Sequence, residues 1–444
     1  MARALKFNLE RRVKLMEQAL ALRQWDITQL DRLPRLLAQS GYNSRNNDST
    51  RLTKDNNDDL VPSGLISQAR THTVTELGFS WNLLDFGMGH YNNLQQAERF
   101  GVAVERRRKA MHQLMQDVRV AFWRTASAQQ VQARVAQTIA LADEALKDAR
   151  TVEAARIRNP VESLRFQQQL LENIRLLESI TQELSAANLE LASLINAPLN
   201  LPLRVVEPPD TGLHNDWIQT PVESLEEMAM QHNPDIRLQH HQARDARIEA
   251  RKTLLRLFPS LSFQYNLQHD NDSYLVNNRW NQAGLQLSFN LINLLAYPQQ
   301  KQLGEVAVSL ADQRRLTAQA AVLTQVHLSR LQLSHALQQL ERAHQIQETS
   351  QRLADIIASR QSVQLQSKFE RVSSDTNAIL SMLRRYQALS AAQIAQARLA
   401  ATLGSEAEIP SVDETPLTQL INLMSSQPQP GHKSPMVPSM GNRP

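Results

Sequence analysis

A seven-residue phrase occurs twice in this chain. Ser80-Trp81-Asn82-Leu83-Leu84-Asp85-Phe86 returns 208 positions later as Ser288-Phe289-Asn290-Leu291-Ile292-Asn293-Leu294. Each copy follows a helix-like segment that ends in a proline, Leu33-Pro34 and then Phe258-Pro259. Each is followed by a long proline-free stretch, 87–159 and 299–367. A repeat of this length constrains architecture before any motif is considered. The repeated unit reads as short helix, strand, loop, strand, very long helix, hairpin, shorter helix.

The strands rest on period-two alternation. Leu285, Leu287, Phe289 and Leu291 alternate with Gln286, Ser288 and Asn290, and Leu77, Phe79, Trp81 and Leu83 alternate with Glu76, Gly78, Ser80 and Asn82. These runs predict strands over about 73–86 and 281–294. Leu261, Phe263, Tyr265 and Leu267 mark a partner strand in the second copy. Leu36, Ala38 and Tyr42 against Gln39 and Asn43 mark a weaker one in the first. Such lengths are long for a soluble sheet and suit a tilted membrane-spanning strand. The loops between paired strands, 43–59 and 268–282, are long and polar. Four strands cannot close a barrel alone, and a bilayer tolerates no open edge. If these strands lie in a membrane, several chains pool them. Phe79, Trp81, Leu285, Leu287 and Phe289 then face lipid, and the Ser and Asn face lines a wet lumen.

The proline-free stretches contain few glycines, with Gly87, Gly89 and Gly101 in the first and Gly304 in the second. An unbroken helix of that size is on the order of 100 Å long, which fits a coiled coil or a helical tunnel. Neither apolar stripe keeps a strict heptad, which suggests helices packed against two neighbours. Pro160 is placed to open the helix returning from the first turn. The second turn falls within 366–371. Thr220-Pro221-Val222-Glu223 reads as a capping box, and Asn233-Pro234-Asp235 as a break and restart.

The chemistry of an enzyme is missing from this pattern. Glycine numbers 12 of 444 residues, with no phosphate-binding loop among them. His240 and His241 are adjacent, and His327, His335 and His344 lie eight and nine apart, so none has zincin spacing. No catalytic site, cofactor or metal is expected. No apolar run reaches the eighteen residues of a membrane helix, which excludes an inner-membrane pump but not a barrel. The absence of cysteine fits an oxidising compartment. A formal net charge of +4 gives no argument for nucleic acid, and the run Arg106-Arg107-Arg108-Lys109 reads as a solvated or interhelical face or an interface near lipid headgroups.

Taken together, the chain resembles the TolC-like outer membrane efflux family over about residues 4–404. The resemblance rests on the duplicated strand–strand–long-helix order. Local matches add to it: Leu33-Pro34 with Gly41-Tyr42, Trp81 to Gly87, Leu164 to Leu170, Asn233-Pro234-Asp235, and Leu403-Gly404. It implies a mainly α protein with membrane β-strands, a homotrimer forming one twelve-stranded β-barrel and a long periplasmic α-helical tunnel. It implies an exit duct for tripartite efflux or type I secretion, with a periplasmic adaptor protein and an inner-membrane pump of RND or ABC type as partners. The two turns would form the tunnel tip. Arg158, Asn159 and Glu162 in one, and Lys368, Glu370, Arg371 and Asp375 in the other, are the candidate gate and adaptor contacts. Arg371 and Asp375 stand at i, i+4.

The expected division is a first repeat over 1–197, N-terminally incomplete, a connecting segment over 198–221, a second repeat over 222–404, and a disordered Pro/Ser-rich tail over 405–444. Two departures stand out. Ala2 to Asn8 is no signal-peptide core, so the chain as written is expected not to be exported. The helix that precedes Asn233 in the second repeat is expected to be missing before Asn8. The rival reading is a soluble coiled-coil scaffold with a small capping sheet. The face of Phe79, Trp81, Leu287 and Phe289 separates the two: it meets lipid in a conduit and is buried against protein in a scaffold.

Overall fold

The repeated phrase is a strand-to-helix joint. In a computed structural model, which describes residues 1–51, 65–154, 160–200, 203–206, 213, 216–362, 368–405 and 416–419, each phrase turns on its asparagine. Asn82 Oδ1 accepts the N–H groups of Leu84 (2.8 Å) and Asp85 (3.2 Å), and Asn290 Oδ1 accepts that of Ile292 (3.1 Å). An asparagine at this position satisfies the donors that a helix start leaves open. The strands therefore end sooner than alternation predicts, as β4 (Thr71–Asn82) and β6 (Arg279–Ser288). Helices α3 (Leu83–Ala154) and α8 (Ile292–Ser362) begin correspondingly earlier, with Pro298 inside the latter.

The other strands are β1 (Arg35–Ser44), a two-residue ribbon of β2 (Thr50–Arg51) and β3 (Leu65–Ile66), and β5 (Ser260–Asp270). The main sheet is antiparallel throughout, in the order β1-β4-β5-β6. The ribbon has no counterpart in the sequence reading, because two residues are too few to show a period.

The helices that return from the turns are α4 (Pro160–Leu194) and α9 (Lys368–Leu403). Pro160 opens α4 as expected. The turns themselves, 155–159 and 363–367, lie outside the described residues. Both returning helices stop with the same device, again 208 positions apart. Asn196 (φ 49°) and Gly404 (φ 67°) take the left-handed conformation, and the next N–H reaches back: Ala197 to Ala192 O at 2.8 Å, Ser405 to Ala400 O at 3.1 Å. This is the Schellman stop. Gly404 is also packed, since a Cβ there would stand 2.3 Å from His232 O.

The helices α6 (Val222–His232) and α7 (Pro234–Leu255) meet at Asn233. Its Oδ1 accepts the N–H groups of Asp235 and Ile236, while Nδ2 donates to Thr402 O at 2.8 Å. The first repeat has the same joint. Asn8 Oδ1 accepts Arg11 N, and Nδ2 donates to Leu194 O at 3.0 Å. Asn8 sits between α1 (Ala2–Phe7) and α2 (Leu9–Thr28). This corrects the expectation of a missing helix: α1 holds the place of α6, and six residues were too short to show periodicity. The capping box is also corrected. Thr220 Oγ1 donates to Asp216 O (2.8 Å), within the turn of α5 (Asp216–Gln219), and α6 has no side-chain cap.

The chain divides into two units. One comprises residues 1–16, 104–238 and 316–444, and the other 17–103 and 239–315. The first is helical, and its core runs in clusters such as Leu225, Ile236, Val326, Leu333 and Leu399, or Val131, Leu177 and Ile379. The connecting segment is held to it. Gln129 accepts Val205 N at 3.0 Å and donates to Leu203 O, and Trp217 is buried. Leu417 packs against the cluster of Leu5, Leu114 and Val118, and the rest of the expected tail from 420 lies outside the described residues.

The second unit carries the main sheet and polar helix contacts. Trp25 stacks on Phe100 at 5.9 Å. Glu98 takes bonds from Arg244 and His241, both 2.7 Å. Burial works to raise the Glu98 pKa, but these two bonds outweigh it and hold the carboxyl below its ordinary range. A Cβ at Gly101 would meet the His241 ring, 2.3–2.7 Å away, so the ring would have to move.

Candidate functional site

Residues paired across the strands share a face. One face carries Leu36, Leu77, Phe79, Trp81, Phe263, Leu285 and Leu287. The other carries Gln39, Glu76, Ser80, Gln264, Asn266 and Gln282. The apolar face is open. Leu285 and Leu287 are 72% and 71% exposed, and Leu77, Trp81, Phe263, Tyr265 and Leu267 are also exposed. On the polar face Glu76, Ser80, Asn266 and Gln268 are half-buried, and Gln39, Gln264 and Gln282 are exposed. Phe79 is half-buried against Phe263 (6.2 Å, edge-on), and Trp81 lies 6.1 Å from Phe86. Phe289 lies just past β6 and is half-buried.

The helical unit places the residues named near the second turn. Lys368 Nζ bridges Glu144 and Asp148 of α3, each at 2.7 Å, and these two carboxylates hold its pKa above the ordinary lysine range. Asp375 lies 3.8 Å from Arg371 on its own helix and 3.3 Å from Arg134 of α3. Arg371 also donates to Gln361 of α8 at 2.6 Å, and Arg134 to Gln351. The i, i+4 pair is thus the centre of a three-helix connection. Arg134, Glu144, Asp148, Gln351 and Gln361 were not legible as its members, because no local spacing links them to residues 368–375. Glu370 is exposed. Arg158 and Asn159 lie outside the described residues, as does the side chain of Glu162, which stands in the first turn of α4.

The basic run resolves into interhelical pairs. Arg108 bonds Glu105 at 3.0 Å, Arg237 reaches the same carboxylate at 3.2 Å, and Lys109 bonds Asp235 at 2.8 Å. One turn on, His112 is buried. Desolvation and then the Arg108 charge push its pKa down to about 4. No group of three or more metal-ligating side chains occurs among the described residues.

No protein-family model matches the sequence, and no curated protein matches it significantly. Solved structures match closely in shape. The chain is similar to the Campylobacter jejuni CmeC outer membrane channel, with a TM-score of 0.70 at 11% identity over 96% of this chain and 88% of that one. It is similar to the outer-membrane channel OprN, with a TM-score of 0.67 at 14% identity over 91% and 88%. It is also similar to the open state of the Neisseria gonorrhoeae MtrE outer membrane channel, with a TM-score of 0.63 at 15% identity over 90% and 87%. The chain has the fold of these outer membrane channels. The likeness covers both units, and it selects the channel fold over the coiled-coil scaffold.

Proposed function

We propose that the chain forms an outer membrane channel as a homotrimer. It is a passive exit duct of an efflux or type I secretion assembly, driven by an inner-membrane pump through a periplasmic adaptor. The observation that carries this reading is the open apolar face of the sheet, with Leu285 and Leu287 exposed opposite a face of polar side chains. In water that arrangement is unfavourable at about 25 cal/mol for each Å² of apolar surface left exposed. Next to hydrocarbon it is favourable, and the polar face then lines the lumen. Among the described residues no helix is long and apolar enough to cross a membrane, so the strands are the spanning elements. Phe79, Trp81, Leu285 and Leu287 meet lipid, with Phe289 at the joint below.

Several copies are needed, because β1 and β6 leave the sheet open at both edges. Exposed helix positions support pooling. Leu303, Val306 and Leu310 on α8 and Leu20, Ile27 and Leu30 along α2 and the residues after it are uncovered in a single chain. Arg371, Asp375 and Lys368 restrain the tip of the helices, with Arg158, Asn159, Glu162 and Glu370 as adaptor contacts. Detergent-solubilised protein imaged by electron microscopy should show threefold tapered tubes that conduct ions in planar bilayers. Monomers without conductance would overturn the reading.

A further inference from the structure

We propose that the polar face of the sheet carries a binding row for aromatic organic cations, formed by Glu76 and Trp280 across Gln268. The inference rests on the reading of that face as the channel lining. Gln39, Glu76, Gln268 and Trp280 are partners in register on four successive strands, so their side chains form one row on one face. Neighbouring strands lie about 4.8 Å apart, which puts Glu76 and Trp280 about 10 Å apart. That is the span of a molecule with a ring at one end and an ammonium at the other.

The row differs from its surroundings. The rows towards the helices hold Ser80, Gln264, Asn266 and Gln282, with Arg35 beside Ser80 as their one charged member. Glu76 is the one carboxylate on this face between Arg35 at the helical end and Asp270 at the far end. Trp280 is the one indole on it. Gln39 Nε2 donates to Glu76 Oε2 at 2.7 Å, which fixes the carboxylate and leaves Oε1 open. Oε1 leans towards Gly78, 3.7 Å from where a Cβ would stand. All three strand glycines, Gly41, Gly78 and Gly284, fall on this face, and no atom lies within 4 Å of a Cβ built at Gly41 or Gly284. Strand glycines mark places where something approaches the backbone closely. Gln39, Glu76, Gln268 and Trp280 line an open groove of about 710 Å³.

The chemistry follows from the row. An aromatic body stacks on the Trp280 ring, its cation meets the Glu76 carboxylate, and the Gln268 amide offers a hydrogen bond between them. The groove is open to solvent, so binding is weak and reversible. A conduit needs that property, since a site that holds cargo tightly stops flow.

The test uses the full-length trimer in planar bilayers, with phenylbutyltrimethylammonium as the probe and its block of potassium conductance as the readout. Glu76→Gln and Trp280→Ala should each raise the half-blocking concentration about tenfold, the scale of one lost charge or ring contact. Gln264→Ala should leave it unchanged. Equal block in wild type and both variants would overturn the proposal. A second measurement separates that failure from failure of the lining. The chain has no cysteine, so Asn266→Cys and Leu285→Cys each create a single thiol. Labelling of Asn266→Cys, and not Leu285→Cys, by a water-soluble thiol reagent in membrane-inserted trimers keeps the lining whatever the block shows. The reverse pattern overturns the lining and the binding row together.

Discussion

In the helical unit Leu333, Ile379 and Leu399 are fully buried, whereas in the sheet unit Leu285 and Leu287 keep more than two-thirds of their surface open. The same residue type, in one chain, meets two different surroundings. The helices bury leucine against helix, in the manner of any protein in water. The sheet leaves leucine open, on the face opposite Glu76, Ser80 and Asn266. Alternation therefore reports which residues share a face, and the surroundings decide which face is inside.

Truncation should break the two regions unequally. Leu333→Ala should destabilise the helical unit by about 2–5 kcal/mol, because the cavity cannot fully collapse. Leu285→Ala should leave the unfolding rate of the detergent-solubilised protein nearly unchanged. Comparable losses, followed by helical circular dichroism on heating, would remove the contrast.

Charge sharpens it. Leu287→Arg should cost about 2–4 kcal/mol of barrel assembly near the bilayer midplane, and Ser288→Arg much less. The fraction of heat-resistant trimer in membranes measures both. Equal tolerance at the two positions would return the sheet to a water-facing role.

Acid should act on the helical unit first. His112 has a folded pKa of about 4, below its ordinary value. Between those two values the unfolded chain binds a proton that the folded chain refuses. Stability is then complete above about pH 6.5 and falls on acidification by up to about 3 kcal/mol near pH 4. His112→Leu should flatten that acid limb in urea titrations at successive pH values. An unaltered limb would show that His112 is not its cause.

The smallest expected effect lies near the second turn. Replacing Arg371 and Asp375 with Ala removes partly exposed pairs worth about 1 kcal/mol or less. Repeated in three chains it should still raise single-channel conductance. Unchanged conductance with intact trimers would leave these pairs as ordinary helix links.

The sequence made the long helices, the four main strands and their faces legible, because each carries a period over ten or more residues. The joints were harder. Asn82 and Asn290 end strands that alternation alone would extend, since a cap is a single hydrogen-bonding residue inside an otherwise periodic run. The six residues of α1 were too short to read, and Thr220 was assigned to a cap although its hydroxyl bonds backwards to Asp216. At the candidate gate, Arg371 and Asp375 were visible as neighbours on one helix turn. Arg134, more than two hundred positions earlier, was not, because only the fold brings α3 to α9. The row of Glu76 and Trp280 was hidden for the same reason: it depends on the register of β4 against β5, strands separated in the chain by the helices α3 to α7.

The paired helix stops at Asn196 and Gly404 differ in what they allow. Both hold the same left-handed turn, but Asn196 is exposed, while His232 O closes over Gly404. A side chain at the first stop has only the left-handed turn to satisfy, whereas any side chain at the second must also displace the His232 carbonyl. The same stop is therefore open to substitution in one repeat and closed to it in the other.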